Sequence, residues 1–263
     1  MTVEVLFQHD KNGESIDLSF LAELYHQSIA FQEFEKKSNL PSVPLNIFLP
    51  AWCHKSFLHE FKMEGVMSYE RMEFLGDAIF GAYISERLYH QFPTMPEGPL
   101  SKLKSQLVSR HEMARLAEIL DLPRLTLVGR GELKNKNYLN VAKLTDLFES
   151  TVGAVYLSHG VDVTHRFLNH VLSLYEEQTG NPYINESRVQ QKDAKGPLQE
   201  WSMKTYQQLP NYKFTLNDEV FSVDLLINNK VVASASSKSK KDAERKCAEI
   251  FLTQLTHGET HAH

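Results

Sequence analysis

Cysteine is nearly absent from this chain. Cys53 and Cys247 are the only two in 263 residues, and neither stands at metal-ligand spacing from a histidine. That excludes a disulfide framework and a zinc finger, and both thiols read as reduced and buried in a cytoplasmic protein. Long apolar runs are missing too. Leu225-Leu226-Ile227 is followed at once by Asn-Asn-Lys, far short of the roughly 20 residues of a membrane helix. The first residues include Glu4 and Asp10, with no basic stretch leading into an apolar one, so no signal peptide is read there. Repeats are likewise absent. What remains is an ordinary globular composition, 42% hydrophobic and 23% charged, long enough for two modest domains.

The net charge of −5 argues against a polyanionic partner until its distribution is considered. Residues 188–246 hold eleven Lys/Arg against seven Asp/Glu, a surplus of four positive charges, which leaves −9 for the rest. A basic C-terminal third on an acidic body is expected when one part holds a polyanion and the other holds metal ions.

Helical spacing of apolar residues predicts one helix over 17–38, ended by Pro41 and Pro44. Further helices are expected at 69–91, 100–120 and 144–158, with residues 92–99 a rigid connection and 129–140 a polar loop. After a polar linker the pattern changes to a helix over 197–208, strands at 212–216, 219–227 and 230–236, and a helix over 240–255. Asn228-Asn229 suits a hairpin turn, since asparagine tolerates positive φ, and Ser239 suits a helix N-cap.

The most informative stretch is Tyr69-Glu-Arg-Met-Glu-Phe-Leu-Gly-Asp-Ala-Ile-Phe80. Glu73 and Asp77 are four apart, hence on one helix face, and Met72, Phe74, Leu75, Ile79 and Phe80 predict burial on several sides. In Leu144–Tyr156, Asp146 and Glu149 are three apart on an equally apolar helix. Like charges so placed repel unless a cation lies between them. If the two helices pack together they form an oxygen-only site suited to Mg²⁺ or Mn²⁺ rather than zinc. Either pair alone reads more readily as surface acids on an amphipathic helix.

Glu70-Arg-Met-Glu-Phe-Leu-Gly-Asp-Ala78 resembles the signature of the ribonuclease III family, and Asp146–Tyr156 resembles that family's second acidic motif. His54-Lys-Ser56, Glu97-Gly98, Gly129-Arg-Gly-Glu132 and Asn140 match in order and spacing, so the resemblance covers roughly residues 50 to 160. It implies a divalent-metal-dependent endonuclease for double-stranded RNA, leaving 5′-phosphate and 3′-hydroxyl ends. Glu73, Asp77, Asp146 and Glu149 would be the metal ligands, and Asp77 and Glu149 the catalytic pair. Mg²⁺ is the expected ion, with Mn²⁺ able to substitute. Glu70 and Glu97 would be supporting residues near the RNA groove or the subunit interface, although a salt bridge explains Glu70 equally well. His54 reads as a helix cap or packing residue. The resemblance further implies a homodimer through the signature helix and a part in ribosomal or messenger RNA processing.

The order helix, three strands, helix over residues 191–256 resembles a double-stranded RNA-binding domain. Asp193–Trp201 looks like its first-helix motif, and Ser239-Lys-Lys-Asp-Ala-Glu244 like the opening of its last helix. Lys238, Lys240 and Lys241 would meet phosphates at a helix N-terminus, and Gln199 with Glu200 the minor groove. The connection at Asn217-Asp-Glu219 is shorter than usual and acidic, which predicts a weaker grip. The expected organisation is an N-terminal helical extension (1–44), an all-α nuclease domain (45–178), a linker (179–190), a small α+β RNA-binding domain (191–256) and a tail (257–263). The competing reading is a catalytically inactive RNA-binding scaffold. A small-molecule phosphohydrolase would have no use for the basic domain.

Overall fold

The computed structural model describes residues 16–63, 66, 68–185, 194–217 and 220–256. Two units meet in sequence at Ile184–Asn185. The first is all helical among its described residues; the second carries a three-stranded antiparallel sheet. No helix of the described residues is long and apolar enough to cross a membrane.

The first unit begins where Asp17 caps α1 (Leu18–His26), its carboxylate accepting the Phe20 N–H at 2.8 Å. Sequence periodicity predicts one helix over 17–38, but the chain breaks at Gln27–Ser28 and restarts as α2 (Ile29–Ser38). The break lets Tyr25, Phe31 and Phe34 reach one indole from different directions. Tyr25 stacks on Trp52 at 5.8 Å, and Phe34 meets it edge-on at 5.2 Å. Trp52 ends α3 (Leu45–Trp52), and both it and Phe48 are fully buried. The described part of the N-terminal extension is therefore integral to the core. Each of these rings buries about 150–250 Å², so this cluster dominates the apolar burial at that end of the unit.

After the short α4 (Lys55–Glu60) comes the signature helix α5 (Glu70–Gln91). The single helix expected over 100–120 is two, α6 (Glu97–Leu107) and α7 (Arg110–Ile119), parted where Ser109 turns extended. Pro99 lies in the first turn of α6, where its missing N–H costs nothing, so the rigid connection is shorter than expected. The polar stretch 129–140 is more ordered than a loop. It holds α8 (Arg130–Asn135) and a 3₁₀ turn (Asn137–Leu139) joined through Lys136 at φ 54°. Neither buries a residue, so no apolar periodicity marks them in sequence.

The long helical segment α9 (Val141–Thr179) is bent at Gly160, whose φ of 76° few side chains tolerate. It packs chiefly against α5, α7 and α3. Gly180, at φ 68°, ends it. The start of the expected linker is anchored: Tyr183 is buried and its hydroxyl donates to the Leu107 carbonyl at 2.6 Å. Residues 186–190 of that linker, the tail from 257 and the first 15 residues lie outside the described part.

The second unit runs α10 (Lys195–Tyr206), β1 (Asn211–Asn217), β2 (Val220–Ile227), β3 (Lys230–Ser237) and α11 (Lys240–Thr256), with strand order β1-β2-β3. Asn228 and Asn229 both have positive φ, 54° and 59°, the conformation of a two-residue hairpin turn. Val223, Leu225 and Ile227 alternate toward the helices and form the core with Leu198, Cys247 and Phe251. β1 ends at Asn217 and β2 begins at Val220; Asp218 and Glu219 lie outside the described residues.

Candidate metal centre and nucleic-acid interface

Two glycines bring α5 and α9 together. A β-carbon on Gly76 would stand 1.7 Å from the Glu149 carbonyl oxygen, and one on Gly153 would stand 2.4 Å from that of Met72. The helices therefore touch backbone to backbone, one turn from the acidic side chains of both. Oxygens of Glu73, Asp146 and Glu149 consequently lie within 4.8 Å of one another.

Three carboxylates at that range raise each other's proton affinity. Glu149, buried at 7% exposure, is pushed up from 4.5 to about 8, first by burial and then by the charges of Asp77, Glu73 and Asp146. Glu73 is also shifted upward, by burial and then by Asp146. An oxygen-only donor set with this stored repulsion fits a hard divalent cation. Asp77 stands outside the trio and is exposed one turn along α5, yet its charge is the largest one acting on Glu149. The structure thus joins three of the four expected ligands and leaves the fourth alongside.

The supporting residues are placed as follows. Glu70 accepts from Lys55 at 3.1 Å and from the Ser68 hydroxyl at 3.0 Å. Lys55 and Glu70 are both more than half exposed, so their pair contributes little stability. Glu97 opens α6 and accepts from the Ser101 hydroxyl at 2.6 Å. Asn140 caps α9, its side chain accepting from the Lys143 N–H at 2.9 Å. His54 occupies the cap position of α4 as expected, its Nδ1 3.1 Å from the Ser56 nitrogen and 2.7 Å from the Ser56 hydroxyl.

Two residues behind the trio escaped the sequence reading. The Tyr69 hydroxyl lies 3.2 Å from Asp146 Oδ2, and Lys143 Nζ lies 3.3 Å from that hydroxyl and 2.8 Å from His54 Nε2. Lys143 precedes Asp146 by three on one helix, a spacing that could have flagged it. Tyr69 carries no local signal, because its partner is 77 residues away.

One expectation for α5 needs correction. In the chain by itself the helix is not covered on several sides: Phe74 is 80% exposed, and Asp77 and Ala78 are also exposed. Of the expected residues Phe80 is fully buried, and it shares the core face with Gly76, Tyr83, Ile84 and Leu88.

In the second unit Gln199 and Glu200 are exposed on α10, and Lys238 and Lys241 are exposed around the start of α11. Lys240 is half-buried, its Nζ 3.6 Å from the centre of the Phe214 ring. Other cations of this unit are taken up internally. Lys195 pairs with Glu244, and Arg245 and Lys246 both pair with Asp242. Hydrogen bonds from Ser237, Arg245 and Lys246 hold the Asp242 carboxyl well below the usual range.

Comparison with known proteins gives a consistent result. A family model described as ribonuclease-III-like matches residues 45–174, and one for the double-stranded RNA binding motif matches residues 194–255. Ribonuclease 3 of Natranaerobius thermophilus is 35% identical over 215 residues, spanning 80% of this chain and 90% of its own length. Ribonuclease 3 of Borreliella afzelii is 33% identical over 228 residues, spanning 85% and 90%. Among solved structures, a nuclease domain of ribonuclease III from Campylobacter jejuni, described for a flexible region involved in dimer formation, superposes with TM-score 0.50 at 30% identity. It covers 57% of this chain and 98% of that one.

Proposed function

Because this chain belongs to the ribonuclease III family, we propose that Glu73, Asp146 and Glu149, with Asp77 beside them, hold the divalent ions with which it hydrolyses double-stranded RNA. The chain is an endoribonuclease of double-stranded RNA, and it is divalent-metal dependent. The observation that carries the site assignment is the convergence of three carboxylates, from two helices locked by glycine contacts, within 4.8 Å. Mg²⁺ suits this hard oxygen set, and Mn²⁺ can substitute. Ions held by these carboxylates would supply water activation near neutral pH and charge stabilisation at the leaving 3′ oxygen, consistent with 5′-phosphate and 3′-hydroxyl ends.

The protein's own groups do the rest. Glu149 and Asp77 face the reacting phosphate as the catalytic pair, and Glu70 and Glu97 support the RNA groove from the N-terminal turns of α5 and α6. Lys238, Lys240 and Lys241 take phosphates at the start of α11, and Gln199 and Glu200 meet the minor groove. Two copies pair through α5, whose exposed Phe74 is otherwise an apolar side chain in water; the Campylobacter jejuni domain likewise has a region involved in dimer formation. Residues 45–178 form the nuclease domain and residues 191–256 the RNA-binding domain. Processing of ribosomal or messenger RNA precursors in the cytoplasm is the cellular role that fits. A catalytically inactive scaffold is disfavoured, because all four carboxylates are present.

The test is incubation of a long RNA duplex with the full chain and Mg²⁺, beside Asp77→Asn and Glu149→Gln. The wild type cuts the duplex and both variants lose nearly all activity. Intact duplex with wild type over a range of Mg²⁺ and Mn²⁺ would sink the enzymatic reading, and full activity of the variants would sink the site assignment.

A further inference from the structure

We infer that Tyr69 is a positioning residue for Asp146, and that Lys143 fixes the direction in which its hydroxyl donates. The inference rests on the assignment of Asp146 as a metal ligand.

The geometry is a one-way chain of donors. Lys143 Nζ lies 3.3 Å from the Tyr69 hydroxyl, and that hydroxyl lies 3.2 Å from Asp146 Oδ2. An ammonium can only donate. The phenol oxygen therefore receives from Lys143, and its single proton is left for the carboxylate. Lys143 is itself located by His54, whose Nε2 lies 2.8 Å from Nζ. His54 is 5% exposed, and with Nε2 accepting from Lys143 its Nδ1 carries the proton and donates to the Ser56 hydroxyl at 2.7 Å.

Tyr69 also joins the two metal-bearing helices. Its carbonyl accepts the Glu73 N–H at 2.8 Å, in the first turn of α5, while its side chain reaches across to α9. The ring is 5% exposed, so the hydroxyl has no freedom to follow Asp146 if the carboxylate turns. One oxygen of Asp146 is thereby held before any ion arrives, and rotation of that carboxylate is no longer lost on binding. None of this follows from the four carboxylates alone.

The experiment is a Mn²⁺ titration of the RNA-free full chain, reading free ion by electron paramagnetic resonance, with Tyr69→Phe, Asp146→Asn and wild type in parallel. Tyr69→Phe keeps the buried ring and removes only the hydroxyl. Its Mn²⁺ half-saturation should rise about tenfold, the lower end of the effect of losing an outer-shell partner. Duplex cleavage should fall at limiting metal and recover at saturating metal, with KM for RNA unchanged. In a Lys143→Met background the same tyrosine change should have less than half its effect, because the hydroxyl is no longer aimed.

Unchanged Mn²⁺ binding by Tyr69→Phe, beside a loss in Asp146→Asn, overturns the inference and leaves the ligand assignment standing. Unchanged binding by Asp146→Asn overturns the assignment itself. A fall in metal-free melting temperature with the same half-saturation reduces Tyr69 to a packing residue and also overturns it. A full Tyr69→Phe effect in the Lys143→Met background removes Lys143 from the chain.

Discussion

Gly76 lies flat against the main chain of Glu149: a β-carbon on the glycine would stand 1.7 Å from that residue's carbonyl oxygen. The reciprocal contact, Gly153 against the Met72 carbonyl, lies across the same helix crossing. Without Cβ atoms at these two points the helices approach closely enough for Glu73 to meet Asp146 and Glu149. The glycines thus set the distance between the acidic residues.

Gly76→Ala should therefore disrupt the site more than a small substitution ordinarily would. The added methyl meets backbone, which cannot rotate away, so a loss of at least about 1–3 kcal/mol is expected, with cleavage lost in the protein that still folds. Gly131→Ala is the control. Nothing lies within 4 Å of its β-carbon, and alanine is better by about 0.5–1 kcal/mol in a helix. Chemical denaturation of both variants decides the matter; equal stabilities would show that the close crossing is not needed.

The raised proton affinity of Glu149, to about 8, sets a pH dependence. Its unfolded value is near 4.5, so between these limits the folded, metal-free chain holds a proton that the unfolded chain has released. Stability then falls as pH rises through that window. A divalent ion binds the deprotonated form, so the stabilisation by Mg²⁺ grows over the same range. Melting curves with and without Mg²⁺ should diverge from about pH 5 to pH 8, and Glu149→Gln should abolish the divergence. A constant gap in wild type would contradict the assignment.

Phe74 is 80% exposed on the chain alone. A two-fold dimer through α5 covers it twice, and burying each ring is worth about 1.5–3 kcal/mol. Phe74→Ser should raise the dimer dissociation constant roughly hundredfold or more, measured by sedimentation, while the metal-free monomer keeps its fold. An unchanged constant would place the subunit contact elsewhere.

Replacing Lys238, Lys240 and Lys241 together by alanine should weaken duplex binding and flatten its salt dependence. Every lysine that neutralises a phosphate should, once replaced, lower the slope of log affinity against log salt by about one. The shift should be similar for unrelated duplex sequences, since phosphates carry no sequence information. A slope equal to that of wild type would assign phosphate binding to other residues.

Much of this was legible in sequence because the signals are local. Residues three or four apart share a helix face, so Glu73 with Asp77 and Asp146 with Glu149 were readable as pairs. Asn228-Asn229 was readable as a turn, and residues 219–227 as a strand. Predicted helices failed at Gln27–Ser28 and Val108–Ser109, where tertiary packing bends a chain whose periodicity continues. The ordered stretch 130–139 was missed because it buries nothing.

The sequence by itself determined that acidic pairs sit on two apolar helices and that a basic α-β-β-β-α unit follows. Only the tertiary structure decided which carboxylates meet. That depends on a backbone contact between Gly76 and Glu149, 73 residues apart in the numbering, which no spacing rule encodes. It likewise decided that Asp77 stands beside the trio, that Phe74 faces outward, and that Tyr69 and Lys143 stand behind Asp146. Sequence pattern fixes which face of an element a residue occupies, whereas the distance between faces is set by what packs between them, here nothing larger than a hydrogen atom.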